Sequence, residues 1–218
     1  MKNNSVRYLA LAAAAIVLCA LAASYFYNRS QTQTVTPGMS FREELIRPDS
    51  HAIGPENAPL TVVEFLDPEC ESCKAFYPTM KKFLDDNKKN VRFVVRYMAF
   101  HTSSAMAIAA VESAAIQGKY WEYLETLFTY AEEWGHKERP DPVYFEKYAS
   151  NLGLNLEKFK NDMADPRWMT LTQRDMKDGQ IMGVKGTPTV FINGDVLQNL
   201  DASSLDKAAK VHLGSLKP

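Results

Sequence analysis

The run Leu-Thr-Val-Val-Glu-Phe-Leu at residues 60–66 is apolar and β-branched, and Cys70-Glu71-Ser72-Cys73 follows after a short break at Asp67-Pro68-Glu69. Such a run reads as a buried central strand. Beyond the cysteines, Ala75, Phe76, Met80, Phe83 and Leu84 recur at helical spacing, with lysines and aspartates on the other side. A buried strand that passes at once into an amphipathic helix puts the first cysteine at the helix mouth. Unpaired backbone N–H groups and the helix dipole favour an anion there. A thiolate is such an anion, and it is the attacking species in disulfide exchange. The second thiol, one helical turn on, can close a disulfide with the first or displace a mixed one. The placement points to redox chemistry.

Other uses of the pair fit less well. A zinc site needs two more ligands, yet the remaining cysteine, Cys19, lies in an apolar N-terminal stretch. His51, His101, His136 and His212 show no paired ligand spacing, so no metal site is expected. A structural disulfide across so short a loop would constrain the unfolded chain little.

Far downstream, residues 183–194 (Gly-Val-Lys-Gly-Thr-Pro-Thr-Val-Phe-Ile-Asn-Gly) read as a tight turn, a proline, a short apolar strand and an Asn-Gly hairpin turn. A proline cannot donate to a ladder, so it belongs at a strand start or an edge. Taken with residues 62–73, this segment resembles the thioredoxin superfamily, and specifically its DsbA-like branch, across residues 50–213. The resemblance implies a cis Thr187-Pro188 peptide whose loop, Gly186 included, faces the dithiol and offers backbone groups to a substrate's extended chain. It also implies an α/β thioredoxin fold carrying an inserted helical domain.

The middle of the chain agrees with that plan. Residues 90–98, with Val91, Phe93 and Val95 alternating against Arg92, Val94 and Arg96, read as the second strand of a βαβ start. Helical patterns follow at 105–117, which Gly118 stops, and at 120–134, 142–151 and 156–164, before Pro166 opens a long helix over 167–182. Strands at 190–192 and 196–197 make the closing hairpin, and 205–213 a terminal helix. The insertion is expected at 103–166 within a domain of residues 50–218, its aromatics mostly core.

Residues 8–27 carry no charge and follow Lys2 and Arg7, which suits a membrane-spanning helix with an aromatic rim at Tyr25-Phe26-Tyr27. An uncleaved anchor within residues 1–29 is expected, with a signal peptide cleaved near Ala20-Leu21-Ala22 as the alternative. Residues 30–49 are a polar tether and lead-in. Either way the domain is exported to the periplasmic side of a bacterial inner membrane, where disulfides persist. The whole chain carries −1, and its three N-terminal basic residues leave the remainder slightly more acidic, which argues against nucleic acid as a partner.

In the chemistry that follows, Cys70 is the exposed nucleophile and Cys73 the resolving thiol, its pKa raised by burial. Glu64 is costly in an apolar strand unless it has a role or a partner. The DsbA-like family places a buried acid there that helps move the second cysteine's proton. Arg96 is a candidate partner for it, and purely structural pairing or solvent exposure are the alternatives. Between the cysteines DsbA itself carries Pro-His, whereas Glu71-Ser72 stands here, with Ser72 able to donate to sulfur. Asp67, Glu69 and Glu71 are expected to raise the Cys70 pKa and make the disulfide a weaker oxidant than DsbA's. The expectation is a monomeric thiol–disulfide oxidoreductase with no cofactor beyond its own disulfide, acting on exported proteins, foremost as an oxidase. A DsbB-like membrane quinone reductase is the implied partner. A reductase or isomerase, and less so a copper(I)-binding thiol protein, are the alternatives.

Overall fold

The computed structural model describes residues 40–214, with side chains from residue 43 onward. The expected anchor or signal segment and most of the tether therefore lie outside the described residues. Among the described residues, no helix is long and apolar enough to cross a membrane.

The element order is α1 (Ser40–Leu45), β1 (Ala52–Ile53), β2 (Leu60–Leu66), α2 (Glu71–Asp86), β3 (Val91–Tyr97), α3 (Ser104–Ala115), α4 (Tyr120–Thr129), α5 (Ala131–Trp134), α6 (Pro142–Asn151), α7 (Leu156–Met163), α8 (Arg167–Ile181), β4 (Thr189–Ile192), β5 (Asp195–Val196) and α9 (Ala202–Gly214). The strands lie in the order β1-β3-β2-β4-β5. β2 and β3 run parallel with Glu64 opposite Val95, as a βαβ unit requires, while β4 pairs antiparallel to β2 with Val190 opposite Glu64. β2 is thus central, and every residue of it but Thr61 is buried.

Strand alternation sorts the sheet into two faces. Val62, Leu66, Phe93, Val95 and Tyr97 pack on one side with Cys73, Phe76, Met80 and Phe83 of α2 and the buried residues of the helical insertion. Val63, Phe65, Val94, Met98 and Phe191 pack on the other with Leu45 and Val184. The insertion, α3 to α7, leaves after β3 and returns through α8, which packs against β3 and α3. A Cβ on Gly179 would lie 2.5 Å from the Met98 sulfur, so glycine lets α8 approach this closely.

Three local features depart from the sequence reading. The two-residue strand β1 adds an antiparallel edge beside β3 that periodicity could not announce in so short a run. The aromatic helix expected over 120–134 breaks at Tyr130, and the break lets the Trp134 indole donate to the Leu127 carbonyl at 2.9 Å. Arg96 does not pair with Glu64. Glu64 shares its face with Val62 and Leu66, whereas Arg96 shares the opposite one with Val94, packing its guanidinium over the Phe65 ring. There it donates to Asp175 at 2.8 Å, to Asp178 and to the Glu44 carbonyl.

Candidate active site

The β2–α2 turn sets the dithiol. Cys70 is the N-cap of α2 with extended backbone, and its N–H closes a turn onto the Asp67 carbonyl at 3.0 Å. Both cysteines are unbonded and largely buried, Cys70 at 9% exposure and Cys73 at 1%. Across from them the Thr187-Pro188 peptide is cis, and the Cys70 thiol lies 3.3 Å from the Thr187 carbonyl oxygen. Thus residues more than a hundred positions apart in sequence meet at one sulfur. Pro188 is buried, Thr187 half-buried, and Gly186 exposed beside it, its carbonyl accepting from the Thr189 hydroxyl at 2.7 Å.

Electrostatics separate the two thiols. The Cys70 pKa is pushed down to about 5, first by the Cys73 thiol donating to its sulfur, then, against burial, by hydrogen bonds from the Thr187 side chain and the Cys73 and Ser72 amides. Ser72 itself is exposed and acts through its backbone. Cys73 moves strongly the other way, because burial opposes its anion and both Cys70 and the Glu64 charge add to the penalty. Beneath them Glu64, 4% exposed, is pushed up to about 8 by burial and by the Cys70 charge, which makes it a carboxylic acid at neutral pH. One stable thiolate, one stable thiol and one buried proton form the set that thiol exchange requires.

The expectation that three carboxylates would raise the Cys70 pKa is overturned. Asp67, fully buried, accepts from the Glu69 and Phe100 amides at 2.9 Å each and bonds His101 Nδ1 at 2.8 Å. Glu69, 3% exposed, accepts from the Ser103 and His136 amides, both at 2.6 Å. Each negative charge is already matched by donors aimed at it, so it is spent locally rather than on the sulfur. Glu71 is exposed to solvent, 3.8 Å from His136 Nε2, where water screens it.

Asp67, Glu69, His101 and His136 border the dithiol in a hydrogen-bonded arrangement that the sequence does not announce. Asp67 and Glu69 stood next to the motif and were legible only as charges. The pairing of Asp67 with a histidine 34 positions away leaves no local signal. Glu69 also staples the insertion to the dithiol, since it holds the start of α3 and the turn after α5. Glu69→Gln turns one of its acceptors into a donor facing an amide, and should cost about 2 kcal/mol in urea unfolding; an unchanged midpoint would show that the staple carries no energy.

The sequence matches the thioredoxin family over residues 47–210. Among solved structures, oxidised BdbD from Bacillus subtilis superposes with a TM-score of 0.69 at 25% identity, covering 76% of this chain and 93% of its own. A thioredoxin-like oxidoreductase from Silicibacter pomeroyi DSS-3 gives the same score and identity over 80% of this chain and 99% of its own. The chain belongs to the thioredoxin family, as a DsbA-like thiol–disulfide oxidoreductase. The chain is also 35% identical over 153 residues to Na(+)/H(+) antiporter NhaA 3 of Salinispora tropica, covering 68% of this chain but 22% of the antiporter. The chain thus spans about a fifth of the length of that relative.

Proposed function

We propose that this DsbA-like oxidoreductase is exported and works as an oxidase, donating its Cys70–Cys73 disulfide to protein substrates with free thiols. A DsbB-like membrane quinone reductase restores the disulfide. One observation carries the direction: the stabilised Cys70 thiolate, which lowers the energy of the dithiol form and so makes the disulfide the better oxidant.

The steps follow from the site. A substrate thiolate attacks Cys70 Sγ; the Cys70–Cys73 bond breaks, and the Cys73 sulfur leaves with the electron pair. Glu64, protonated at neutral pH, gives its proton to that sulfur. A second substrate thiolate then attacks the substrate sulfur of the mixed disulfide, and Cys70 leaves as the thiolate the site prefers. The substrate is oxidised by two electrons and the dithiol is left reduced. Cis-Pro188 and the Thr187 carbonyl beside Cys70 give an extended substrate chain a backbone edge to lie along.

The test is the potential of the Cys70–Cys73 pair against glutathione buffers as pH varies. A value more oxidising than the glutathione pool is expected of a disulfide donor. Because Cys70 stays ionised above about pH 5, reduction there takes up one proton rather than two. Between pH 5.5 and 7 the potential should therefore fall by about 30 mV per pH unit, not about 60. A strongly reducing value turns the reading to a reductase or isomerase.

A further inference from the structure

Outside the residues that exchange sulfur, an imidazole pair rims the dithiol. His101 Nδ1 bonds the fully buried Asp67 at 2.8 Å, and Asp67 lies in the turn whose carbonyl holds the Cys70 amide. The His101 ring stands edge-on to His136 with centroids 5.5 Å apart, and His136 in turn faces Glu71 on the first turn of α2. Asp67 already takes two backbone amides, so it presents His101 with a carboxylate locked in direction and closed to water. A buried carboxylate fixes the ring's tautomer and orientation and stabilises the imidazolium. The groups facing His101 are the Asp67 and Glu69 carboxylates, the Cys70 sulfur and the His136 imidazole, and apart from the second histidine all of them favour a cation there; Glu71 faces His136.

We propose that the Asp67–His101 pair is the positioning element that holds a positive charge beside Cys70, in the role that an intervening histidine would otherwise fill, and so couples the dithiol's oxidising strength to pH. The inference rests on Cys70 being the exchanging thiol. His101 acts through its charge and touches no reacting atom. As the imidazolium it stabilises Cys70 both when that sulfur leaves the mixed disulfide and afterwards in the dithiol. Burial of the His101 ring opposes protonation, while its hydrogen bond to Asp67 and the charges of Asp67, Glu69 and Cys70 together raise its pKa above the ordinary value. The charge therefore persists to higher pH than on a free imidazole and fades as pH rises through that raised value, taking part of the thiolate stabilisation with it.

Linkage supplies a test that needs no substitution. If Cys70 ionises more easily beside a charged His101, the His101 imidazole must protonate more easily beside a reduced, ionised Cys70. Following the His101 ring proton by NMR across pH, in the dithiol and disulfide forms of the parent protein, should show a midpoint about one pH unit higher in the dithiol form. Equal midpoints overturn the proposal. In His101→Gln the Cys70 pKa, read by thiolate absorbance, should rise by about one unit and the potential become about 30 mV more reducing. His101→Lys should hold the parent's Cys70 pKa, since it keeps the charge; a His101→Lys value matching His101→Gln would mean that the ring acts by packing alone, and would overturn the charge role. Mapping the alkylated residue by mass keeps the premise separate: modification at Cys73 instead of Cys70 would refute the assignment of the exchanging thiol, whatever His101 does.

Discussion

Replacing Glu64 by Gln is expected to separate the two halves of the exchange reaction. Release of Cys70 from the mixed disulfide uses no proton from beneath, so its stopped-flow rate should stay within about twofold of the parent. The substrate's attack on the disulfide expels Cys73, and that step needs a proton moved at a sulfur whose anion is opposed by burial and by Cys70. Removing a positioned acid–base group costs roughly 100-fold or more in such a step. Equal rates for both steps in variant and parent would end the proton-relay role.

The same substitution should stabilise the fold, and by a pH-dependent amount. Glu64 is raised from its model-compound value of 4.5 to about 8, chiefly by burial. The folded state therefore binds this proton more tightly than the unfolded chain does. Stability is full below about pH 4.5 and is lost as pH rises through 8. At about 1.4 kcal/mol per unit, the total loss approaches 5 kcal/mol, part of which depends on the Cys70 charge. Glu64→Gln cannot ionise and escapes it. Urea titrations of the disulfide form at pH 5 and pH 9 should show a small difference between variant and parent at the acid end and a gain of several kcal/mol for the variant at the alkaline end. A difference independent of pH would mean that Glu64 does not titrate with folding.

Arg96→Met should be the most damaging single change on the far face of the sheet. Arg96 is fully buried, and its guanidinium answers Asp175 and Asp178, themselves only 2% and 3% exposed. Arg47 helps from the lead-in, donating to Asp178 at 2.7 and 2.9 Å, and Arg174 reaches Asp175 at 3.0 Å and Asp49 at 2.8 Å. The network ties β3, α8 and the segment before β1 together. Removing its central cation leaves buried carboxylates short of charge, for which about 3–5 kcal/mol is the usual cost. Arg96→Lys should recover part of this, because an ammonium keeps the charge but not the planar fork that serves two carboxylates and a carbonyl. Neither variant should alter the Glu64 pKa or the dithiol potential, since the sheet stands between them. A shifted potential in a folded Arg96 variant would restore the link that the structure removes.

The mistaken Arg96–Glu64 pair shows where sequence reasoning stops. Both residues are buried charges on neighbouring strands, and both carry energetic weight. Their faces depend on the pairing of β2 with β3, which sets Glu64 opposite Val95 and leaves Arg96 opposite Phe65. Alternation then sends the two side chains to opposite layers. Register is a long-range property, and neither strand's own residues encode it.

What the order of residues settled on its own was whatever depends on neighbours. The β2–α2 handover with Cys70 at the helix mouth, the start of α6 at Pro142 after Asp141, and the Asn193-Gly194 turn are each written in a few adjacent side chains. Local sterics and hydrogen bonding act over that range. The chemistry of Cys70 lay beyond it. Its low pKa comes from Cys73 and from Thr187 across the site, and the carboxylates beside it are silenced by Phe100, His101, Ser103 and His136. A charge's effect depends on what faces it and how much water lies between. Those are distances in space, and folding brings together groups that the chain keeps far apart.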